Sequence, residues 1–245
     1  MLSQEEFNRY SKQMALQEIS LQGQDKLRQS KVLVVGAGGL GCPVLQYLTA
    51  AGIGYIGICD GDVVELSNIQ RQILYGSDSI GKFKVDIALQ VLQNLNRNTQ
   101  FKTYCIFINA ENASSIIEDY DIIIDATDNM ESRYLLDDVC SQLHKPWIFG
   151  GIYRHEGQVS VFNFPVGEGP TYNSLYPLNK DATEVLDCNM AGVLGVLPGL
   201  IGIIQANECI KMVLGIGNVL AGKMMWINML TLETRFFSFN RKTVL

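Results

Sequence analysis

In residues 31–62, KVLVVGAGGLGCPVLQYLTAAGIGYIGICDGD, an apolar run meets four closely spaced glycines, then a helix-forming stretch, then a second apolar run that ends in acid. The order reads as strand, glycine turn, helix, strand. Gly36, Gly38 and Gly41 fit the spacing G-x-G-x-x-G in the context that fingerprint requires, and Gly39 adds a point where backbone can approach a phosphate without a side chain in the way. Amides at the start of the helix from Leu40 would face the anion, helped by the helix dipole. Asp60 closes the second strand, where a carboxylate can accept hydrogen bonds from ribose hydroxyls. The bland alternative is a tight strand-to-helix turn that binds nothing. Such a fingerprint alone does not separate NAD from ATP.

Downstream residues bear on that choice. Asp62, Ser67, Asn68, Arg71 and Gln72 follow Asp60, Lys84 stands in GKFKVD, and Asp128 and Asn129 end DIIIDATDN. Two cations and an acid beside a phosphate loop suit a nucleoside triphosphate with magnesium, which needs charge neutralisation and an oxygen-rich metal site. A lone surface Arg, Lys or Asp is ordinarily just solvated, so the order of these residues carries the reading. Gly41, Asp62 and Gln72 are candidate nucleotide contacts with them.

The strings GAGGLG, SNIQRQ, GKFK and Thr127-Asp128-Asn129, with Cys188-Asn189-Met190-Ala191-Gly192-Val193-Leu194-Gly195, resemble the ThiF-type adenylating enzymes. Members of that family activate ubiquitin-like sulfur carriers in thiamin and molybdenum-cofactor biosynthesis and are relatives of ubiquitin-activating enzyme. The resemblance runs from RYSKQ at residue 9 to about residue 239. It implies that Gly39, Asp60, Ser67, Asn68, Arg71, Lys84, Asp128 and Asn129 hold ATP, with Asp128 also serving Mg2+. The reaction it implies is adenylation of the carrier's C-terminal Gly-Gly carboxylate, releasing pyrophosphate. A separate donor such as a cysteine desulfurase would then deliver sulfur, directly or through Cys188.

The alternation of elements predicts an α/β fold: a Rossmann-like, doubly wound mixed sheet. Strands are expected near 31–36, 55–59, 101–107, 121–125 and 147–151, and helices near 41–52, 82–95, 111–118 and 130–144. Ser3 and Glu6 form a candidate capping box for a first helix, and a second helix runs to about Gln29. After residue 157 come a strand, a loop, a long helix over about 192–214 and two apolar strands, KMMWINML and TRFFSFN, expected as an antiparallel extension of the sheet. One domain over 1–245 is expected, with N-terminal helices to 29, an ATP-binding half over 30–156 and a carrier-binding half over 157–245. The stretch 165–188 is too long for an ordinary connection. In the resembled family it crosses over the carrier's tail.

Cys188 ends that stretch. A thiol on such a loop beside a helix start can have its pKa lowered and become a nucleophile; a buried one is inert. Thiamin-type members use a cysteine here, and the molybdenum-cofactor type does not depend on it. Two departures from the family stand out. Many relatives bind zinc through two C-x-x-C pairs, but Thr171 and Ser174 occupy the first pair's positions and no second pair appears, so no zinc is expected. In RYSKQ the family generally has arginine where this chain has Lys12, a residue taken to reach the partner's ATP site in a homodimer. Lysine keeps the charge but not the bidentate fork.

Composition sets the remaining bounds. A chain of 245 residues that is 47% hydrophobic can bury a substantial core. The net charge of −6, without a basic cluster interleaved with aromatics, argues against a nucleic-acid partner. No secretory signal is apparent, and the apolar run 190–204 contains Pro198 and reads as the start of a buried helix instead of a membrane span. Six cysteines standing singly fit reduced thiols and a cytoplasmic location. A nicotinamide-dependent oxidoreductase would share the glycine loop and Asp60 but needs a proton donor, for which the sequence offers only His144 and His155. A non-catalytic carrier-binding relative is the third reading; the intact Arg71, Lys84 and Asp128 speak against it.

Overall fold

β1 (Lys31–Val35), β2 (Tyr55–Cys59), β4 (Ile122–Asp125) and β5 (Trp147–Tyr153) are built almost wholly from buried residues, because helices cover both faces of the sheet they form. The computed structural model describes residues 2–177 and 192–240. Together with β3 (Gln100–Tyr104) these strands pair in parallel in the order β3-β2-β1-β4-β5. β6 (Glu156–Phe162), β7 (Lys223–Asn228) and β8 (Thr234–Ser238) continue the sheet antiparallel, giving eight strands of mixed direction as expected.

Strand alternation divides the core in two. Val32 and Val34 point into a cluster with Leu45, Leu48, Val85, Leu92, Leu197 and Ile201, beneath α3 (Gly41–Ala51), α4 (Lys84–Leu95) and α8 (Val196–Leu214). Leu33 and Val35 point the other way, to Ile116, Leu136, Val139 and an aromatic group of Trp147, Phe149, Phe162 and Tyr172. That second core lies beneath α5 (Ala113–Ile117) and α6 (Met130–Gln142). Truncating one such buried leucine to alanine costs about 2–5 kcal/mol.

At the N-terminus, α1 (Gln4–Met14) begins with the expected capping box: Ser3 Oγ accepts from the Glu6 amide at 3.2 Å, and Glu6 Oε2 accepts from the Ser3 amide at 2.7 Å. α2 (Ser20–Gln29) leads into β1. α8 is long and apolar enough to cross a membrane, yet it packs on α3, β5 and β6 with buried polar anchors. Gln205 Nε2 donates to the Asp125 carbonyl at 2.6 Å, and Glu208 Oε2 accepts from the Leu220 amide at 2.8 Å.

Several boundaries differ from expectation, each for a local reason. The strand over 101–107 stops at Tyr104, because β3 pairs only with β2, which ends at Cys59; Asn112 Nδ2 then donates to the Phe107 carbonyl as the chain turns. α4 starts at Lys84 because Phe83 is held in an antiparallel bridge with Val63. The last helix starts at Val196 instead of about 192. Gly192 sits at φ 69°, and Val193 bridges to Arg154 in the turn between β5 and β6.

Sheet order reverses at β1, which has β2 on one side and β4 on the other. The crevice beyond the C-terminal ends of β1 and β4 is therefore where ligands bind in such sheets.

Candidate active site

The glycine loop follows β1 into that crevice. Gly36 has φ 98°, and a Cβ on it would lie 2.5 Å from the Ala126 carbonyl oxygen; one on Gly41 would lie 2.0 Å from the Gly36 carbonyl oxygen. Only glycine permits this turn. The loop is tied down by three hydrogen bonds, from the Gly36 amide to the Cys59 carbonyl at 2.8 Å, from the Ala37 amide to Asp60 Oδ2 at 2.7 Å, and from Tyr75 Oη to the Ala37 carbonyl at 2.6 Å.

Asp60 is buried, and its other oxygen accepts from the Asp62 amide at 2.8 Å. Burial pushes its pKa up, opposed by Lys84 and the two amides. Lys84 enters at the first position of α4 and places Nζ 2.8 Å from Asp62 Oδ2. Arg71 Nη1 donates to the Ser67 carbonyl at 2.9 Å. Buried Asn68 shapes the turn that carries Arg71, accepting from the Glu65 amide at 3.2 Å. Gln72 Oε1 is buried and has no hydrogen-bond partner.

One cavity of about 330 Å³ gathers Gly39, Asp60, Asp62, Arg71, Gln72, Lys84, Asp128 and Asn129. Gly41, Ser67 and Asn68 do not line it; Gly41 begins α3, and Ser67 and Asn68 lie in the short helical turn Leu66–Asn68 that leads to Arg71. Asn129 caps α6, its Oδ1 accepting from the Ser132 amide at 2.8 Å, which leaves Asp128 exposed at the mouth. Lys12 lies elsewhere. The α1 residue next to it, Gln13, donates to the carbonyl of Ala51 at the C-terminal end of α3, whereas Gly39 precedes that helix's start. Eleven residues of helix separate those ends by about 16 Å. Cys188 lies outside the described residues, as do the parts of the crossover stretch beyond 177.

Sequence reading missed Asp125, Arg133 and Arg154. Asp125 is fully buried; its Oδ1 accepts from the Thr127 amide at 2.9 Å and from Thr127 Oγ1 at 2.6 Å, and Arg133 Nε stands 3.7 Å from Oδ2. Burial drives the Asp125 pKa up and Arg133 opposes the shift. The available signal was that Asp125 closes its apolar strand as Asp60 closes β2. Arg133, one helical turn after Asn129, lines the cavity with its guanidinium 5.1 Å from the centre of the Phe149 ring. Neither His144 nor His155 lines the cavity.

Packed against α6, Thr171 and Ser174 form a capping box at α7 (Tyr172–Leu175), with their hydroxyl oxygens 2.9 Å apart. Asp137 of α6 accepts the Tyr172 and Asn173 amides at 2.8 and 2.9 Å.

A doubly wound sheet with a glycine loop at its switch point, flanked by Lys84, Arg71 and carboxylates, defines a nucleotide-binding domain equipped for phosphate chemistry. A model described as the ThiF family matches residues 10–244, and the chain belongs to that family. It is 43% identical over 242 residues to a sulfur carrier protein adenylyltransferase of Thermus thermophilus, covering 98% of this chain and 89% of that one. It is 46% identical over 236 residues to a probable molybdopterin-synthase adenylyltransferase of Porphyra purpurea, covering 96% of this chain and 61% of that one. A Culex quinquefasciatus protein named adenylyltransferase and sulfurtransferase MOCS3 is 46% identical over 224 residues, which are 91% of this chain and 51% of that protein. The chain thus spans only about half the length of that relative. Among solved structures, PaaA has a TM-score of 0.82 at 26% identity, covering 98% of this chain and 76% of that one. E. coli MccB with ATP has a TM-score of 0.83 at 22% identity over 97% of this chain and 73% of that one, a likeness of fold.

Proposed function

We propose that this protein uses ATP to adenylate the C-terminal glycine of a ubiquitin-like sulfur carrier. The single observation that carries the reading is the convergence of Arg71, Lys84 and Asp128 on the cavity beside Gly39. A carboxylate oxygen of the carrier attacks the α-phosphorus of ATP. The new bond is acyl O–P; the bond from that phosphorus to the bridging oxygen breaks, and pyrophosphate leaves with the electron pair. The carboxylate is already a nucleophile, so no base is required. Catalysis is then positioning and charge stabilisation, which Arg71 and Lys84 supply at the phosphates and the glycine loop supplies through its amides.

Magnesium fits the donor set: an exposed carboxylate at Asp128 beside a phosphate site is the kind of ligand Mg2+ takes together with substrate phosphate oxygens. When bound, it would neutralise phosphate charge. Zinc is not part of the reading. The hydroxyls of Thr171 and Ser174 already bond each other and their own helix start, and they offer no thiolate.

The remaining steps belong to the same proposal. In the sulfur step the persulfide of a separate donor such as a cysteine desulfurase attacks the acyl carbon of the adenylate, and AMP leaves with the C–O electron pair. In a thiamin-type enzyme Cys188 then displaces the donor thiol and carries the chain as an acyl disulfide; in a molybdopterin-type one Cys188 is dispensable. Attack by a further thiol frees the thiocarboxylate and leaves a disulfide. The enzyme is a homodimer in which Lys12 of one protomer serves the ATP site of the other, and it works in the cytoplasm. The relatives' names support carrier adenylation; the pathway stays open between thiamin and molybdopterin. A hydride-transfer reading is disfavoured because no histidine lines the cavity. Trapping tests the proposal: incubation with ATP and a purified carrier ending in Gly-Gly should add one AMP to the carrier by intact mass, and a carrier lacking the last two glycines should gain nothing. Absence of the adduct with both thiamin-type and molybdopterin-type carriers would overturn it.

A further inference from the structure

Four cationic side chains line the cavity among the described residues, and they differ in what balances them. Lys84 has Asp62 and Arg133 faces Asp125. Arg71 is turned onto the Ser67 carbonyl. Arg154 belongs to none of the ion pairs among the described residues, and its guanidinium lies 5.3 Å from the centre of the ring of its own neighbour, Tyr153. It is an exposed charge in search of an anion.

Its backbone is nonetheless fixed. Tyr153 pairs with Glu156, so Arg154 and His155 form a two-residue turn between β5 and β6, with Arg154 at φ 55°. The Arg154 carbonyl accepts from the Leu194 amide at 3.1 Å, and Arg154 bridges in parallel to Val193. The turn is held by the sheet on one side and by the approach to α8 on the other.

Topology says which reactant this guanidinium meets. The phosphate loop follows β1, and the ribose acceptor Asp60 follows β2, so the nucleotide extends from the switch point toward β2 and β3. β5 runs parallel to β4 and ends at the same edge of the sheet, two strands from β1 on the opposite side. Arg154 therefore stands where the second reactant enters. That reactant brings a carboxylate into a cavity that already holds a triphosphate, and like charges at such distances repel. A planar guanidinium binds a carboxylate through two parallel N–H donors and offsets the repulsion.

We infer that Arg154 recognises the C-terminal carboxylate of the incoming carrier, a role that rests on the adenylation reading. Binding of purified Gly-Gly carriers, thiamin-type and molybdopterin-type, is measured in the presence of a non-hydrolysable ATP analogue, alongside carriers ending in a carboxamide. Wild-type protein should favour the free acid over the amide by about 10–100-fold, the worth of a charge-assisted hydrogen bond. Arg154→Ala should bind both forms alike and raise the carrier KM by the same factor, Arg154→Lys should fall between, and the affinity for the ATP analogue should stay within about 2-fold, a change well below one hydrogen bond. A merely structural role would not erase acid-over-amide discrimination. Arg154→Ala that still discriminates, or that loses ATP affinity as much as carrier affinity, would overturn the inference. Wild-type protein that forms no carrier adenylate at all would instead overturn the adenylation reading and this inference with it.

Discussion

Lys84 Nζ lies 2.8 Å from Asp62 Oδ2, with the lysine side chain 6% exposed and the aspartate side chain 52% exposed. A buried cation is thus balanced by a carboxylate that can move into solvent, so a phosphate can take over as counter-ion without leaving the charge unpaired. Lys84→Ala should lower adenylate formation by about 10²–10³-fold, as loss of one transition-state donor does, and Arg71→Ala and Asp128→Ala should do likewise. Near-normal turnover in any of these variants, purified and folded, removes that residue from the mechanism.

The turn at Gly36 and Gly41 carries a second prediction. A methyl group on Gly41 meets the Gly36 carbonyl oxygen at 2.0 Å, so Gly41→Ala must displace the loop proposed to cradle the phosphates. ATP affinity should fall by at least about 10-fold, the equivalent of one lost hydrogen bond. Unchanged affinity by calorimetry would show that the loop is not the phosphate cradle.

The alternation of strands and helices and the glycine turn were legible because each rests on local patterns: apolar runs, glycine spacing and acid at strand ends. Thr127, Asp128 and Asn129 could be read for the same reason. Arg133 could not, because its importance comes from Asp125, eight residues away, and from the ring of Phe149 on the next strand. Arg154 was hidden in a turn that reads as surface, since only sheet order brings the end of β5 to the mouth of the cavity. Asn68 was read as a nucleotide contact; its side chain also helps shape the turn that carries Arg71. Sequence shows a polar residue in a loop; whether its hydrogen bonds go to ligand or to backbone is decided in three dimensions.

Asp137 gives a pH prediction. It is buried, and burial raises its pKa despite the opposing Asn173 and Tyr172 amides and Trp147; Asp138 adds to the rise. With the folded value above the unfolded one, its protonation stabilises the fold most below the ordinary carboxylate value, and that contribution is lost as pH rises through the folded value. The stability of wild type minus that of Asp137→Asn should therefore shrink as pH increases from about 4 to about 7. Urea unfolding across that range checks it, and a difference that grows with pH contradicts it. Metal analysis of the same preparations should find no stoichiometric zinc.

Lys12 tests the dimer. In its own chain Lys12 does not line the cavity, and its neighbour Gln13 is bonded at the far end of α3 from Gly39, so the proposed service to an ATP site is across an interface. Mixing inactive Lys12→Ala and Arg71→Ala chains should restore part of the activity, because one of the two sites in a mixed dimer has both residues. Monomeric protein by light scattering would end that role.

Cys188 separates the two pathways. In a thiamin-type enzyme Cys188→Ser should adenylate normally yet form no covalent link to the carrier and transfer no sulfur; in a molybdopterin-type enzyme both steps should survive. Intact mass after incubation with ATP, carrier and sulfur donor reads the outcome, and full sulfur transfer by the serine variant excludes the covalent role.

ATP–pyrophosphate isotope exchange tests carrier adenylation most directly, because label enters ATP only if the acyl-adenylate forms and reverses. Exchange should appear only with a carrier ending in a free Gly-Gly carboxylate, and it should fall by about 10²–10³-fold in Arg71→Ala. Exchange that proceeds without a carrier, or no exchange with either type of carrier, would contradict the account.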